Sequence, residues 1–380
     1  MEEVYLSAEE LVRYSRHIAI PEFTIENQKK LKSAKVLVVG AGGLGSPVLL
    51  YLAAAGVGTI GIVDFDVVDV SNLQRQILFG IKDLGKSKAI VAKEKLLDLN
   101  PHVNFIIHEE RLSSLNALEI FQQYEVVVDG SDNFVTRYLV NDASVFANIP
   151  NVYASVLRFE GQVSVFNYKQ GPNYRDLYPT PPAPATVLNC AEGGVLGVLP
   201  GIIGSMQANE VIKIITDIGE PLSGRLFRFD ALNASAQTFQ ITKDPFNPLT
   251  GEHPEINSLI DYEQFCDMVE KKEVDIVRAI TVQQLRDKIT NKEDFQLIDV
   301  REKWEYDLVR IGGMHLPLDI LNDCLDQIAR DKIVIVHCKM GGRSARAIQQ
   351  LQLKGFDNLY NLEGGIIAYV QEVDPTLPLY

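Results

Sequence analysis

A chain of 380 residues with 46% hydrophobic content is long enough for two or three domains, each with its own core. Its net charge of −14 removes nucleic acid from the expected partners, because a phosphate backbone calls for a basic footprint. Four widely spaced cysteines, Cys190, Cys266, Cys324 and Cys338, fit a reducing compartment. The acidic Met1-Glu2-Glu3 opening has the wrong charge for an export signal, so the expected location is the cytoplasm.

Lys35-Val36-Leu37-Val38-Val39 reads as a short apolar strand, and it runs straight into the turn Gly40-Ala41-Gly42-Gly43-Leu44-Gly45. A helix over 46–55 and a second strand over 59–63, ending at Asp64, complete the unit. Residues 36–63 hold no charge, yet seven glycines and Pro47 break them into strand, turn, helix and strand rather than a membrane span. A second apolar stretch, 193–206, is shorter and is broken by Pro200, so no membrane association is expected. The glycines let backbone approach a phosphate, the helix N-terminus attracts its charge, and Asp64 is placed to bond a ribose hydroxyl. That much says "nucleotide", and a nicotinamide or flavin enzyme would share it.

The next segment separates ATP from NAD. In Asp64-Phe65-Asp66-Val67-Val68-Asp69-Val70-Ser71-Asn72-Leu73-Gln74-Arg75-Gln76, and at Lys88 beyond it, cations appear that a triphosphate needs and a nicotinamide site has little use for. Val126-Val127-Val128-Asp129-Gly130-Ser131-Asp132-Asn133 brings a carboxylate to the end of another strand, where Asp132 is placed to hold magnesium. Together with Arg13-Tyr14-Ser15-Arg16-His17-Ile18, these segments resemble the ubiquitin-activating-enzyme superfamily in its ThiF/MoeB/HesA branch, over residues 5–243.

The resemblance implies an α/β, Rossmann-like ATP-binding domain with a mostly parallel central sheet. It implies that the C-terminal glycine carboxylate of a ubiquitin-like sulfur carrier attacks the α-phosphate of ATP, giving an acyl adenylate and pyrophosphate. Gly40, Gly42, Gly43 and Gly45 would border the nucleotide, Asp64 with Asp66 would face the ribose end, and Asn72, Arg75 and Lys88 would contact phosphates. Arg75 and Lys88 would also act in catalysis, and Asp132 would coordinate Mg2+. Arg16 would be offered to the ATP of a second subunit, so a homodimer is implied.

Two features of this region stand apart. Cys190 follows the proline-rich Pro179-Thr180-Pro181-Pro182-Ala183-Pro184, a composition suited to a crossover loop over an extended tail. Relatives carry a cysteine there, and its reading stays open between a catalytic relay and a structural residue. Close relatives also hold a structural zinc on two Cys-x-x-Cys pairs. Here those positions are Asn173 and Asp176, then Asn247 and Thr250, so no zinc is expected and local rigidity around 170–180 and 244–255 comes into question.

From Pro245 to about Glu273, Asn, Pro, Gly and charged residues replace periodic apolar ones. The division expected is a first domain over 1–245, a linker over 246–276 and a second domain over 277–380. Helical patterns near 261–270 and 282–287 flank the boundary, the latter starting after Thr281.

In the second domain, Ile333-Val334-Ile335-Val336 reads as a buried strand and 344–353 as a helix, so Cys338 occupies a strand-to-helix turn. Backbone amides there, with the helix N-terminus, lower a thiol pKa, and Cys338 is expected to be largely thiolate near neutrality. The loop Cys338-Lys339-Met340-Gly341-Gly342-Arg343 has one residue fewer between Cys and Arg than the phosphate cradle of thiol phosphatases, which suits a sulfane sulfur instead. Preceded by Leu297-Ile298-Asp299-Val300-Arg301-Glu302, Trp304-Glu305-Tyr306 and Gly312-Gly313-Met314-His315, the loop resembles the rhodanese family over 277–380. That implies a small α/β domain with Cys338 as the sulfur carrier and Arg343 beside it; His337 reads as a strand-end packing residue.

The two resemblances imply adenylation of a carrier ending in Gly-Gly, then sulfur delivery from a Cys338 persulfide to give a thiocarboxylate for molybdopterin, thiamine or thiolated-tRNA synthesis. A cysteine desulfurase or thiosulfate would load Cys338. Three other readings stay open: an oxidoreductase fused to a rhodanese, a carrier-binding scaffold with a decayed site, and a thioester-forming enzyme of protein conjugation using Cys190.

Overall fold

The computed structural model describes residues 4–182, 193–268 and 277–379. These form two compact units, one holding the described residues up to Asp267 and the other those from 277 onward.

The first unit is built on an eight-stranded sheet in the order β3-β2-β1-β4-β5-β6-β7-β8. The strands are β1 (Lys35–Val39), β2 (Thr59–Val63), β3 (Asn104–His108), β4 (Val126–Asp129), β5 (Asn151–Leu157), β6 (Glu160–Phe166), β7 (Arg225–Asp230) and β8 (Ser235–Gln240). From β3 to β5 every pairing is parallel, and from β5 to β8 every pairing is antiparallel. The apolar runs in the sequence are continuous because both faces of the sheet are covered. Val36, Val38, Ile60, Ile62, Val126 and Val128 enter one core cluster, while Leu37, Val39, Val63 and Val127 enter the cluster on the other side. Alternate residues of one strand therefore stabilise two layers, each fully buried side chain contributing roughly 1.5–3 kcal/mol.

The chain leaves β1 for β2 on one side and reaches β4 on the other, so the ends of β1 and β4 flank the point where strand order reverses. Gly40 (φ 91°) and Gly130 meet there: a Cβ on Gly40 would stand 3.1 Å from the Gly130 carbonyl oxygen, and one on Gly130 2.9 Å from that of Val39. The helix Gly45–Ala55 starts immediately behind the turn. The long helix Val198–Thr216 packs across the sheet, and its buried Gln207 amide donates to the Asp129 and Val152 carbonyls at 2.8 and 2.9 Å, tying β4 to β5. Among the described residues, no helix is long and apolar enough to cross a membrane.

Residues 246–268, whose polar composition reads as a linker, pack on the first unit. Tyr262 is 3% exposed, and Phe265 joins it against Tyr138 and the sheet. The helix here is Tyr262–Met268.

The second unit holds five parallel strands in the order β11-β10-β12-β13-β9, namely β9 (Ala279–Ile280), β10 (Phe295–Asp299), β11 (Met314–His315), β12 (Ile333–His337) and β13 (Leu359–Leu362). Here too alternation sorts the core, with Ile298, Val334 and Val336 on one side and Leu297 and Ile335 on the other. Thr281 caps the helix Val282–Thr290 through a capping box with Gln284.

A Cβ on Gly45 would lie 1.9 Å from the Gly40 carbonyl oxygen, a backbone atom that cannot swing aside. Gly45→Ala is expected to lower unfolding stability by about 2 kcal/mol or more, read as a lowered urea midpoint of the first unit's transition.

Candidate functional site

At the reversal point lies a cavity of about 260 Å³, lined by the β1 turn, the end of β2 and the end of β4. Of the residues singled out in the sequence, Gly40, Gly42, Gly43, Asp64, Asp66, Arg75, Lys88 and Asp132 all line it. Gly45, Asn72 and Arg16 do not: Gly45 serves helix packing, Asn72 holds the short turn before Arg75 through backbone bonds to Arg75 and Gln76, and Arg16 is exposed on the helix Ser15–Ile18. Cys190 lies outside the described residues.

The Asp64 carboxylate accepts the Ala41 amide at 2.8 Å and the Asp66 amide at 2.9 Å, joining the glycine turn to the end of β2. Burial pushes its pKa above the ordinary carboxylate value, against those two amides and the Lys88 charge. Each oxygen keeps a lone pair, so the group can still accept from a ribose hydroxyl.

Lys88 is the first residue of the helix Lys88–Leu99 and is only 5% exposed. A cation at a helix N-terminus opposes the macrodipole and burial costs it hydration, so the placement is unfavourable without an anion. Asp66 supplies one, 3.0 Å away, and an anionic ligand in the cavity would supply more. Arg75 reaches the same cavity and donates to the Ser71 carbonyl at 3.1 Å. The turn packs tightly here, a Cβ on Gly43 meeting Pro200 at 3.3 Å and Arg75 Cγ at 3.5 Å.

Asp132 is exposed on the cavity side of β4, whereas Asp129 is fully buried and accepts from Ser131 N and Oγ at 2.9 and 2.6 Å. Among the described residues, no group of three or more His, Cys, Asp or Glu side chains is gathered to hold a metal unaided. A lone carboxylate beside a phosphate cavity fits magnesium, which keeps waters and takes its other ligands from the substrate.

Arg111 and Arg137 also line the cavity, and the sequence reading missed them. Arg111 lies 6.0 Å from the Phe65 ring centroid and pairs with Glu263 at 2.9 Å. Arg137, on the helix Phe134–Ala147, donates to the Ser131 carbonyl at 3.3 Å and lies over the Tyr153 ring. Arg111 follows β3 and reaches the cavity through strand pairing, whereas Arg137 stands in the first turns of the helix just after Gly130-Ser131-Asp132-Asn133.

In the second unit, β12 delivers Cys338 to the turn before the helix Gly342–Gln352. The thiol is 1% exposed; Gly341 N donates to Sγ at 3.1 Å, and Ser344 Oγ lies 3.4 Å from it. Gly341 takes φ 104°, which turns its amide back onto the sulfur. Asn361, from β13, accepts from Ser344 Oγ at 2.6 Å and donates to the Gly341 carbonyl at 3.2 Å. The Cys338 and Lys339 carbonyls accept from Ile366 and Ile367 at 2.9 and 3.2 Å, so a second helix start holds the loop from the other side. The loop presents a backbone donor to the sulfur, while the single Ser344 hydroxyl hydrogen goes to Asn361 at the shorter distance.

Arg343 forms a two-pronged pair with Glu305, at 2.5 and 2.7 Å, which fastens the loop to the helix Lys303–Leu308. Glu305, Ser344 and Asn361 are functional partners that sequence reasoning did not assign. Glu305 stood in the quoted motif, while Asn361 had no local signal. Arg301 is wholly buried and grips Asp299, donating also to the Val309 carbonyl at 2.7 Å.

Residues 14–249 match the ThiF family, and residues 281–372 match the rhodanese-like domain. The chain is 48% identical to a Mycobacterium tuberculosis protein named "Probable adenylyltransferase/sulfurtransferase MoeZ", over 99% of this chain and 96% of that one. It is 40% identical to the Xenopus laevis "Adenylyltransferase and sulfurtransferase MOCS3", over 99% and 89% of the two chains. A Thermus thermophilus "Sulfur carrier protein adenylyltransferase" is 49% identical over 68% of this chain and 98% of its own length. A crystal structure of E. coli MccB shares the fold, with TM-score 0.56 and 23% identity over 65% of this chain and 75% of that one.

His337 is fully buried and neither ring nitrogen makes a hydrogen bond; Asp299 Oδ2 lies 3.7 Å from Nε2, beside Arg301. Burial pushes its pKa down from 6.5 to about 4. The neutral ring is therefore what the fold accepts: the stabilisation is complete above pH 6.5 and is lost as pH falls toward 4, by about 3 kcal/mol at most. The second unit's unfolding transition is expected to weaken across that window, and His337→Phe is expected to flatten the dependence.

Proposed function

The chain belongs to the ThiF family and carries a rhodanese-like domain behind it, and from that premise we propose how its two sites divide one reaction. It is an enzyme that adenylates the C-terminus of a ubiquitin-like sulfur carrier with ATP and then transfers sulfur to it; the relatives matched over 99% of this chain are named adenylyltransferase and sulfurtransferase, and the one matched over 68% is named a sulfur carrier protein adenylyltransferase. The observation that carries the residue assignment is the gathering of Gly40, Gly42, Gly43, Asp64, Arg75, Lys88 and Asp132 around one cavity at the reversal point.

ATP lies with its ribose toward Asp64 and its phosphates toward the glycine turn, Arg75 and Lys88. The carrier's terminal carboxylate attacks the α-phosphorus, the bond to the β-phosphate bridging oxygen breaks, and pyrophosphate leaves. Lys88 and Arg75 stabilise the charge that develops, a positioning and electrostatic task. Asp132 would hold Mg2+, which when bound would neutralise phosphate charge. In the second step the terminal sulfur of a Cys338 persulfide attacks the acyl carbon and AMP leaves, forming an acyl disulfide. A second thiol, Cys190 or a small-molecule thiol, then takes the Cys338 sulfur into a new disulfide and releases the carrier thiocarboxylate; a cellular reductant restores both thiols.

A homodimer is part of this reading. Arg16 does not line its own cavity, and Val67, Val70, Ile77 and Ile81 are all more than half exposed in one stretch beside the site, with 55%, 63%, 63% and 69% of their surface open. The sulfur on Cys338 comes from a cysteine desulfurase or thiosulfate. The product feeds molybdopterin, thiamine or tRNA-thiolation chemistry in the cytoplasm.

The two half-reactions separate by substitution. Asp132→Asn and Lys88→Met are expected to lower carrier-dependent ATP–pyrophosphate exchange by about 100-fold or more. Cys338→Ala is expected to leave that exchange within about twofold of wild type while ending transfer of labelled sulfur, since the thiol takes no part in adenylation. Full sulfur transfer by Cys338→Ala with a persulfide donor would contradict the assignment.

A further inference from the structure

The four positions where close relatives place zinc-binding cysteines are joined in this chain by hydrogen bonds instead. Asn173 Nδ2 donates to Thr250 Oγ1 at 2.8 Å, and Asn247 Nδ2 donates to Asp176 Oδ1 at 2.7 Å and to Asn173 Oδ1 at 3.3 Å. Each bond spans more than 70 residues of sequence. Asn173 and Asn247 are 2% and 1% exposed.

The remaining lone pairs are also committed. Asp176 Oδ2 accepts the Asn173 amide at 2.7 Å, closing a capping box on the helix Tyr174–Leu177, and Asp176 Oδ1 accepts the Asp244 amide at 2.9 Å. Asn247 Oδ1 accepts the amides of Leu249 and Thr250 at 2.8 and 3.2 Å. Gly251 N donates to the Asn247 carbonyl at 2.8 Å, and a Cβ there would lie 2.5 Å from the Pro245 carbonyl oxygen, so the turn closes only with glycine.

These residues do not fit zinc. Structural zinc takes thiolates and imidazoles, whereas one carboxylate, two carboxamides and a hydroxyl form a hard, singly charged set. Each bond across the two segments runs from an Asn NH2 to an oxygen of the facing segment, so those oxygens already accept a hydrogen where a cation would need their lone pairs.

We infer that Asn173, Asp176, Asn247 and Thr250 form a metal-free polar clasp that takes over the structural task of a zinc site, joining segments 173–176 and 244–250 in the absence of any bound metal. The clasp continues inward. Arg175, wholly buried, donates to both oxygens of Asp142 at 2.8 Å, and Tyr262 donates to the same carboxylate at 2.8 Å, so the helix Tyr262–Met268 is anchored by the segment the clasp holds. Local rigidity, which the missing thiolates bring into question, is supplied by side-chain hydrogen bonds whose two Asn members are buried, so an Asn left without its partner would be costly. No sulfur takes part, so oxidants and thiol-reactive sulfur donors that strip zinc–thiolate sites leave the clasp intact.

The test uses the full chain expressed in zinc-supplemented medium. Metal analysis is expected to find far less than one zinc per chain, and the urea midpoint is expected to stay unchanged after treatment with a zinc-selective chelator. Asn173→Ala and Asn247→Ala are each expected to lower the midpoint, and the double variant to lose less than the sum, because the two side chains share a bond. Thr250→Val keeps side-chain volume and removes the hydroxyl that accepts from Asn173, so it reports on the clasp even if an alanine variant does not fold; a smaller drop is expected. Stoichiometric zinc, a midpoint that falls on chelation, strict additivity, or a Thr250→Val midpoint equal to wild type would each overturn the inference.

Discussion

The approach of two strand ends, Gly40 after β1 and Gly130 after β4, is the constraint from which the first site follows. A side-chain carbon at either glycine would press on the other turn's backbone, at 3.1 and 2.9 Å. Because both turns stay bare, the cavity opens between them at the reversal of strand order, facing backbone amides and the start of a helix. Charge is then added from outside the turn. Asp64 joins β2 to the glycine turn, and Asp66 pairs with Lys88 in a poorly hydrated place. An anion entering this cavity completes an arrangement that is electrostatically unfavourable for the lysine alone.

The second unit meets a different demand with the same device. A parallel strand ends in a tight turn, a glycine with positive φ aims an amide at the functional atom, and a helix begins behind it. What changes is the group at the turn, a buried thiol in place of a cavity. The Cys338 loop is held on three sides, by Asn361 through Ser344, by Glu305 through Arg343, and by the start of the helix Gly365–Glu372. An acyl adenylate and a persulfide are complementary partners: one offers a good leaving group, the other a strong nucleophile at moderate pH.

The sequence was most legible where structure is local. The strand over 35–39, the glycine turn, the strand over 59–63 and the Cys338 turn are each set by apolar alternation and backbone requirements within a few residues, and the fold class was implied by the family resemblance that these segments help to carry. Arg111 and Asn361 were not legible, because strands far apart in sequence bring them to their sites, whereas Arg137 stands one helical turn past Asn133 and was passed over beside a segment already singled out. The stretch 246–268 shows the opposite error. Asn, Thr, Pro and Gly read as a solvated linker, but here buried Asn247 is hydrogen-bonded on both sides and Tyr262 with Phe265 fill an aromatic core. Polar composition marks a loop only when its hydrogen bonds go to water, and one sequence alone does not show where they go.

One chain couples carboxyl activation to sulfur delivery. The most direct test of that coupling is intact mass measurement of a small carrier ending in Gly-Gly after incubation with the full chain, MgATP and a sulfur donor. The account predicts a carrier in which one sulfur replaces one oxygen, formed only when ATP and donor are both present. An adenylated carrier that never gains sulfur, with Cys338 demonstrably loaded as a persulfide, would contradict it.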